Sequence, residues 1–73
     1  MIEVRFFATL RDGRGKIAQV PAVEATTAGD LLRRFEIPVE EVAILLINGF
    51  HSRPEDPVKE GDVISLFPPV GGG

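Results

Sequence analysis

One amphipathic helix is the feature that most limits what this chain can fold into. Four apolar residues lie at positions i, i+3, i+4 and i+7 and form a single helical stripe: Ala28, Leu31, Leu32 and Phe35. Thr27 directly precedes the stripe and is the predicted N-cap, with the Asp30 carboxylate near the positive end of the helix dipole. Pro38 is predicted to end the helix, because the residue before a proline is pushed out of the helical region. A single helix must bury its stripe against a sheet.

The segment before the helix has the pattern of a β-hairpin. Apolar and polar residues alternate from Ile2, which predicts a first strand over residues 2–8 with one face buried. The loop over residues 10–16 contains Asp12-Gly13, which tolerates positive φ. Residues 17–20 are therefore predicted to form the returning strand.

The segment after the helix predicts three more strands. Residues 43–47 are a continuous apolar run, which predicts a strand buried on both faces, and Asn48-Gly49 closes it with a tight turn. Residues 50–52 are predicted to return as a short edge strand, and residues 63–67 to form the last strand. Residues 38–42 are expected to contain a short additional helical turn.

This order of elements predicts an α+β fold of the β-grasp, ubiquitin-like type. The prediction is a mixed sheet of four to five strands with one main helix packed on one face, and with the first and last strands side by side at its centre. We divide the chain into a β-grasp domain at residues 1–67 and a flexible tail at residues 68–73. A chain of 73 residues has room for one small core.

Composition argues against several classes of function. The chain has no cysteine, so we expect no disulfide, thiolate metal site or redox dithiol. We also expect the chain itself to bind no metal or cofactor. The net charge of −3 without a basic stripe argues against nucleic-acid binding. Neither a signal peptide nor a membrane span is visible, and we therefore expect a cytoplasmic protein.

The last residues of the chain carry the strongest functional signal. The final strand runs into two prolines, a valine and three glycines: Pro68, Pro69, Val70, Gly71, Gly72 and Gly73. The prolines favour an extended exit, Val70 offers one apolar anchor, and the glycines fit a channel too narrow for a Cβ. If extended, six residues span about 20 Å at roughly 3.3 Å each. Such a tail suits a terminal carboxylate that must reach the active site of another protein.

Three stretches resemble the ubiquitin-like sulfur-carrier proteins, and most closely the small subunit of molybdopterin synthase. The stretches are residues 4–11 (VRFFATLR), residues 47–49 (ING), and residues 61–63 (GDV) leading to FPPVGGG at residues 67–73. The first two are weak signals alone, whereas the tail in its position is specific. Together with the order of elements they cover nearly the whole chain.

The resemblance implies a cycle in which this chain is a co-substrate and is not catalytic alone. An adenylating enzyme similar to ubiquitin-activating proteins would use ATP to join the Gly73 carboxylate to AMP. A sulfur donor, such as a cysteine desulfurase or rhodanese-type protein, would convert this anhydride to a thiocarboxylate. The large subunit of molybdopterin synthase, or an equivalent acceptor, would then receive the sulfur for the dithiolene that holds molybdenum or tungsten.

Three phenylalanines are candidates for the interface with these partners: Phe7, Phe50 and Phe67. Phe67 could instead close the core, and the same choice applies to Phe7, whereas Phe50 beside its turn is the better candidate for an exposed apolar patch. His51 is interpreted as a surface residue. These aromatic side chains, together with the tail, make up the predicted site.

Other functions remain open at the level of sequence. The molybdopterin branch typically has Ser, Thr or Ala before two terminal glycines, whereas Gly71 makes three glycines in this chain. Three terminal glycines are also found in thiamine-pathway carriers. A ubiquitin-like protein modifier would use the same tail up to adenylation, with Lys16 and Lys59 available for chain building. A plain interaction module that uses a sheet edge is the third alternative.

Overall fold

Residues 1–70, which the computed structural model describes, form one five-stranded mixed sheet with one α-helix on one face. The elements are β1 (Ile2–Phe6), β2 (Ile17–Val20), α1 (Ala28–Arg34), β3 (Ile44–Ile47), β4 (Phe50–His51) and β5 (Val63–Phe67). The strand order is β2-β1-β5-β3-β4, with β1 and β5 parallel and the other neighbours antiparallel. The predicted β-grasp fold is confirmed, including the two long strands at its centre.

The core lies between α1 and one face of the sheet. Alternate residues of β1 and β5 point toward the helix and are fully buried: Ile2, Val4, Phe6, Ile64 and Leu66. From the helix, Ala28, Leu31 and Leu32 are at most 2% exposed, and the Phe35 ring meets the Phe6 ring edge-on at 5.0 Å between centroids. The helical stripe predicted from the sequence is therefore the face that the sheet buries.

The start of α1 follows the predicted cap. The Thr27 side chain accepts a hydrogen bond from the Asp30 backbone N–H, while the Asp30 carboxylate accepts from the N–H groups of Thr26 and Thr27. These two backbone donors, assisted by Arg33, lower the pKa of Asp30. Both partners of a capping box are thus present.

The predicted helix end at Pro38 is wrong, because α1 ends at Arg34. The Glu36 N–H donates to the Arg33 carbonyl and the Ile37 N–H donates to the Leu32 carbonyl, which is the Schellman pattern of a helix C-terminus. Glu36 takes a left-handed φ of 57°, a conformation that glycine usually supplies. The expected short turn beyond Pro38 is present as a 3-10 turn, Val39–Glu41.

The first strand is also shorter than predicted. It ends at Phe6, and a 3-10 turn follows at Ala8–Arg11 because Ala8 takes a left-handed φ of 52°. The turn places Leu10 in the core, where it is 2% exposed. Phe7 keeps an extended backbone and donates its N–H to the Leu66 carbonyl at 3.1 Å, so it still lies against β5.

The prediction that residues 43–47 are buried on both faces is wrong. Leu45 faces the helix and is 6% exposed, whereas Ile44 on the opposite face is 40% exposed. The reason is that one helix covers only one face of the sheet. The apolar residues on the other face of β3 belong to a surface that no element of residues 1–70 covers.

The Asn48-Gly49 turn is confirmed and is joined to the start of β5. Asn48 and Gly49 have φ values of 52° and 86°, as a tight hairpin turn requires. The Asn48 amide donates to Asp62 Oδ1 at 2.9 Å and its oxygen accepts from the Val63 N–H at 2.9 Å. The sheet edge formed by β3 and β4 is therefore fixed to β5. The edge strand β4 stops at His51, one residue before the predicted end.

Asp62 is a buried carboxylate, 4% exposed. Burial alone would raise the pKa of Asp62, but hydrogen bonds from Asn48 and the Lys59 backbone, together with the Lys59 charge, lower it overall. No helix within residues 1–70 combines the length and apolar character that crossing a membrane requires.

Candidate functional site

The face of the sheet opposite α1 carries a stacked pair of aromatic rings. Phe7 and Phe67 lie parallel, with ring centroids 4.2 Å apart and planes 11° from each other. Their neighbours Phe6 and Leu66 point to the core, so the alternation of a strand places Phe7 and Phe67 on the other side. Neither ring belongs to the core beneath the helix.

Strand β3 extends this apolar area. Ile44 lies directly opposite Phe67 in the antiparallel register, and Leu46 lies opposite Ser65 on the same face. Phe7, Phe67, Ile44 and Leu46 together are the open-face patch. Because no element of residues 1–70 packs over the partly exposed rings and side chains, the patch is available for contact with another molecule.

Arg11 supplies a positioned cation at the rim of the patch. Its Nε donates to the Phe6 carbonyl at 2.9 Å, and its guanidinium carbon lies 5.5 Å from the centre of the Phe7 ring. The 3-10 turn after β1 brings the side chain there. A guanidinium held over an aromatic face adds a cation–π contact.

A groove opens where the chain leaves β5. It has a volume of about 470 Å³ and is lined by two short segments and one strand residue: Ala8, Thr9, Ile44, Phe67, Pro68, Pro69 and Val70. The left-handed turn at Ala8 forms one wall and the start of the tail forms the other. Val70 is 96% exposed. The groove and the open-face patch share Ile44 and Phe67, so they form one continuous apolar surface at the root of the tail.

Most of the predicted site residues within residues 1–70 lie close together in the structure. Phe7 and Phe67 are in contact, and Pro68, Pro69 and Val70 line the adjoining groove. Gly71, Gly72 and Gly73 lie outside the described residues. Phe50 is 75% exposed, but it pairs with Ile47, which packs against the core, so it lies on the helix side of the sheet. One surface therefore does not include all three phenylalanines.

Sequence reasoning missed the contributions of Ala8, Thr9, Ile44 and Leu46. Ile44 and Leu46 could have been found by continuing the alternation of the last strand across its neighbour, because residues opposite one another in a sheet share a face. Ala8 and Thr9 gave no such signal, since the turn that places them depends on a left-handed alanine. Within residues 1–70, no three His, Asp or Glu side chains are grouped as metal ligands would be.

Comparison with known proteins identifies relatives along almost the whole chain. Small archaeal modifier protein 3 of Haloferax volcanii is 32% identical, with 99% of this chain and 98% of the relative covered. The crystal structure of SAMP1 from Haloferax volcanii matches with a TM-score of 0.75 and 25% identity, covering 99% of this chain and 98% of that one. A protein complex of subunits 1 and 2 of molybdopterin-converting factor from Helicobacter pylori matches with a TM-score of 0.62 and 28% identity, covering 99% and 97%.

The family assignment agrees with the geometry. Residues 4–73 match the profile of the ThiS family, a span that includes the central strands, the open-face patch and the whole tail. The resemblance inferred from the sequence is thereby confirmed. The chain belongs to the ThiS family of ubiquitin-like sulfur carriers and small modifiers.

Proposed function

We propose that this protein is a sulfur carrier whose Gly73 carboxylate is adenylated by an activating enzyme and then converted to a thiocarboxylate. The sulfur is delivered for synthesis of the molybdopterin dithiolene. The protein binds no cofactor of its own in this scheme, since ATP is consumed by the activating partner. Gly73 is the reactive residue, and Gly72, Gly71, Val70, Pro69 and Pro68 are the segment that the partner's active site receives.

The observation that carries the proposal is the position of the tail root beside the open-face patch. Pro68 and Pro69 line the same groove as Phe67 and Ile44. A partner that covers the patch is therefore placed to receive the tail as it leaves β5. An apolar patch with an aromatic pair and a fixed arginine at its rim suits a protein interface, where aromatic residues and arginine supply most of the binding energy.

The chemistry requires a partner because a free carboxylate is a poor acyl donor. Its charge is delocalised and it has no good leaving group. Attack of a Gly73 carboxylate oxygen on the α-phosphate of ATP forms the acyl-adenylate and releases pyrophosphate. A sulfur nucleophile then attacks the acyl carbon, and AMP leaves. This chain contributes the carboxylate and the docking surface, and the activating enzyme contributes the ATP site.

The molybdopterin pathway is favoured by two observations. The Phe6-Phe7-Ala8 and Phe67-Pro68-Pro69-Val70 stretches resemble that branch of the family. In addition, the solved relative from Helicobacter pylori is a protein complex of subunits 1 and 2 of molybdopterin-converting factor. We therefore propose a larger synthase subunit as the partner that receives the tail after sulfur loading.

The direct test is intact-protein mass spectrometry after incubation with ATP, the cognate activating enzyme and a sulfide donor. The proposal predicts a mass gain equal to replacing one oxygen by sulfur, located at residue 73 by fragmentation. A chain lacking Gly73 is the control and should gain nothing. If the full chain stays at its original mass while the same enzyme adenylates a known carrier and releases pyrophosphate from ATP, the proposal is wrong.

A protein-modifier function is the second candidate, favoured by the relative that is named a small archaeal modifier protein. Its tail would be activated in the same way, and a lysine of a target would then displace AMP. Omission of the sulfide donor separates the two functions. A modifier still forms covalent conjugates with other target proteins under that condition, whereas a dedicated sulfur carrier forms none with them. A thiamine-type carrier would gain the sulfur but fail to pass it to the synthase subunit.

A further inference from the structure

We propose that Lys16 is the residue of this protein that accepts the activated tail of a second copy, so that the chain can modify itself. This inference rests on the proposed activation of Gly73. The residue lies in the loop between β1 and β2, on a part of the molecule that takes no part in the open-face patch. The reaction joins the Lys16 Nζ to the Gly73 carbonyl carbon as an isopeptide bond.

The chain has three primary amines that could make this bond: the Met1 amino group, Lys16 and Lys59. Two of them are engaged by carboxylates. The Met1 amino group is paired with Glu60, and Lys59 Nζ lies 3.4 Å from Asp62 Oδ1. Among residues 1–70, no carboxylate lies within 4.0 Å of the Lys16 ammonium. Lys16 is thus the amine that can react with an acyl donor without first breaking an ion pair with residues 1–70.

The Lys59 side chain is 81% exposed, but the carboxylate with which it pairs lies in the interior. Its partner Asp62 is only 4% exposed, and the same carboxylate also accepts from the Lys59 backbone N–H at 2.9 Å. Acylation of Lys59 would remove the positive charge that accompanies a buried carboxylate. Acylation of Lys16 disturbs no comparable contact among residues 1–70, where its backbone carbonyl accepts from the Phe6 N–H at 2.9 Å.

Lys16 lies in an exposed loop that hydrogen bonds hold in place. A Cβ placed on Gly13 or Gly15 would meet no atom within 4 Å beyond the neighbouring residues, so the loop is open at these two glycines, and Lys16 itself is exposed. Arg14 fixes the loop to the end of the helix by donating from Nε to the Phe35 carbonyl at 3.1 Å and from Nη1 to the Leu10 carbonyl at 3.2 Å. A thin tail ending in glycines suits such a site.

The bond changes in this step balance without a further reagent. The neutral Lys16 amine attacks the carbonyl carbon of the Gly73 acyl-adenylate of another copy. The C–N bond forms, the C–O bond to AMP breaks, and AMP leaves with the electron pair. One proton passes from the nitrogen to solvent. The energy comes from the ATP consumed when Gly73 was activated.

The test incubates the full chain with ATP, magnesium and its activating enzyme, without a sulfide donor, and maps the products after trypsin digestion. Modified Lys16 resists cleavage, so the expected product is the peptide of residues 15–33 bearing a branch of residues 60–73. Lys16→Arg should lower the yield of dimers by roughly fivefold, the largest factor that an exposed ion pair usually contributes. Lys59→Arg is the matched control and should leave the yield unchanged.

Trapping with hydroxylamine in the same reaction separates two kinds of failure. If no Gly73 hydroxamate forms, activation itself has failed, and both proposals fall. If the hydroxamate forms but branches map to Lys59 or the Met1 amine in equal or greater yield, only the assignment of Lys16 is overturned. As a test without any enzyme, a thioester of the peptide of residues 68–73 should acylate Lys16 roughly fivefold faster than Lys59; equal rates would contradict the assignment.

Discussion

At the turn that follows β3, Asn48 stabilises the fold through both its backbone and its side chain. Asn48 adopts the left-handed backbone that the hairpin needs, and its side chain bonds both to Asp62 and to the Val63 N–H. Glycine would satisfy the first requirement without the second. The two contributions of Asn48 can therefore be separated by substitution.

We predict that Asn48→Gly lowers the free energy of unfolding by about 1–2 kcal/mol, because the turn survives but two side-chain hydrogen bonds are lost and Asp62 is left less satisfied. Denaturant unfolding measures the change. Asn48→Ala should cost more, since it also strains the turn. An Asn48→Gly chain at least as stable as the natural chain would contradict this prediction.

The same carboxylate should make stability depend on pH. The pKa of Asp62 is lowered in the folded chain, so its contribution is present above the unfolded value of about 4 and is lost as pH falls through the folded pKa. Asp62→Asn should therefore be less stable than the natural chain at neutral pH, and the gap should shrink in acid. Unfolding curves recorded from neutral pH down to strongly acidic conditions test this; a gap that stays constant would contradict it.

At the scale of elements, the sequence predicted the type of each element better than its ends. The helix start could be predicted because Thr27 and Asp30 form a capping box, which depends on the residue types at these two positions. The helix end was not, because Glu36 occupies a left-handed position where glycine is the usual signal. Ala8, which is also left-handed, caused the same kind of error in the predicted end of β1. Both misses are residues in conformations that their side chains disfavour.

This leads to a stabilising prediction at the end of α1. Glu36→Gly should raise the free energy of unfolding by about 1 kcal/mol, because glycine removes the left-handed penalty at an exposed position whose backbone bonds are kept. Thermal or denaturant unfolding measures the gain. Glu36→Ala is the control and should give no gain, since it removes the charge but keeps the Cβ. A loss of stability in the glycine variant would contradict this interpretation of the helix end.

At the scale of the whole molecule, one face of the sheet stabilises the fold and the other is the proposed recognition surface. One face is covered by α1 and holds the buried core, while the other carries the Phe7–Phe67 stack and leads into the tail. The alternation in β1 and β5 predicted the covered face correctly. It could not show which apolar residues of β3 were left uncovered, because a continuous apolar run has no alternation to read.

Phe7→Ser should therefore weaken recognition more than stability. We expect it to raise the KM of the activating enzyme for this protein by about tenfold or more, as loss of an aromatic interface anchor does. Leu31→Ala, in the core, should instead cost about 2–5 kcal/mol of stability. Phe50→Ser is the matched control, because Phe50 is an exposed aromatic on the other side of the sheet, and its KM should be unchanged. A larger effect from Phe50 than from Phe7 would place the interface elsewhere.

The most direct measurement is the fragmentation mass spectrum of the protein isolated from the cells that make it. The sulfur-carrier proposal predicts that a fraction of the chains carries sulfur in place of one oxygen at the Gly73 carboxylate, and that this fraction is absent from cells lacking the activating enzyme. Chains that carry only an unmodified carboxylate, or whose Gly73 is found only in isopeptide bonds to lysine, would contradict the proposal.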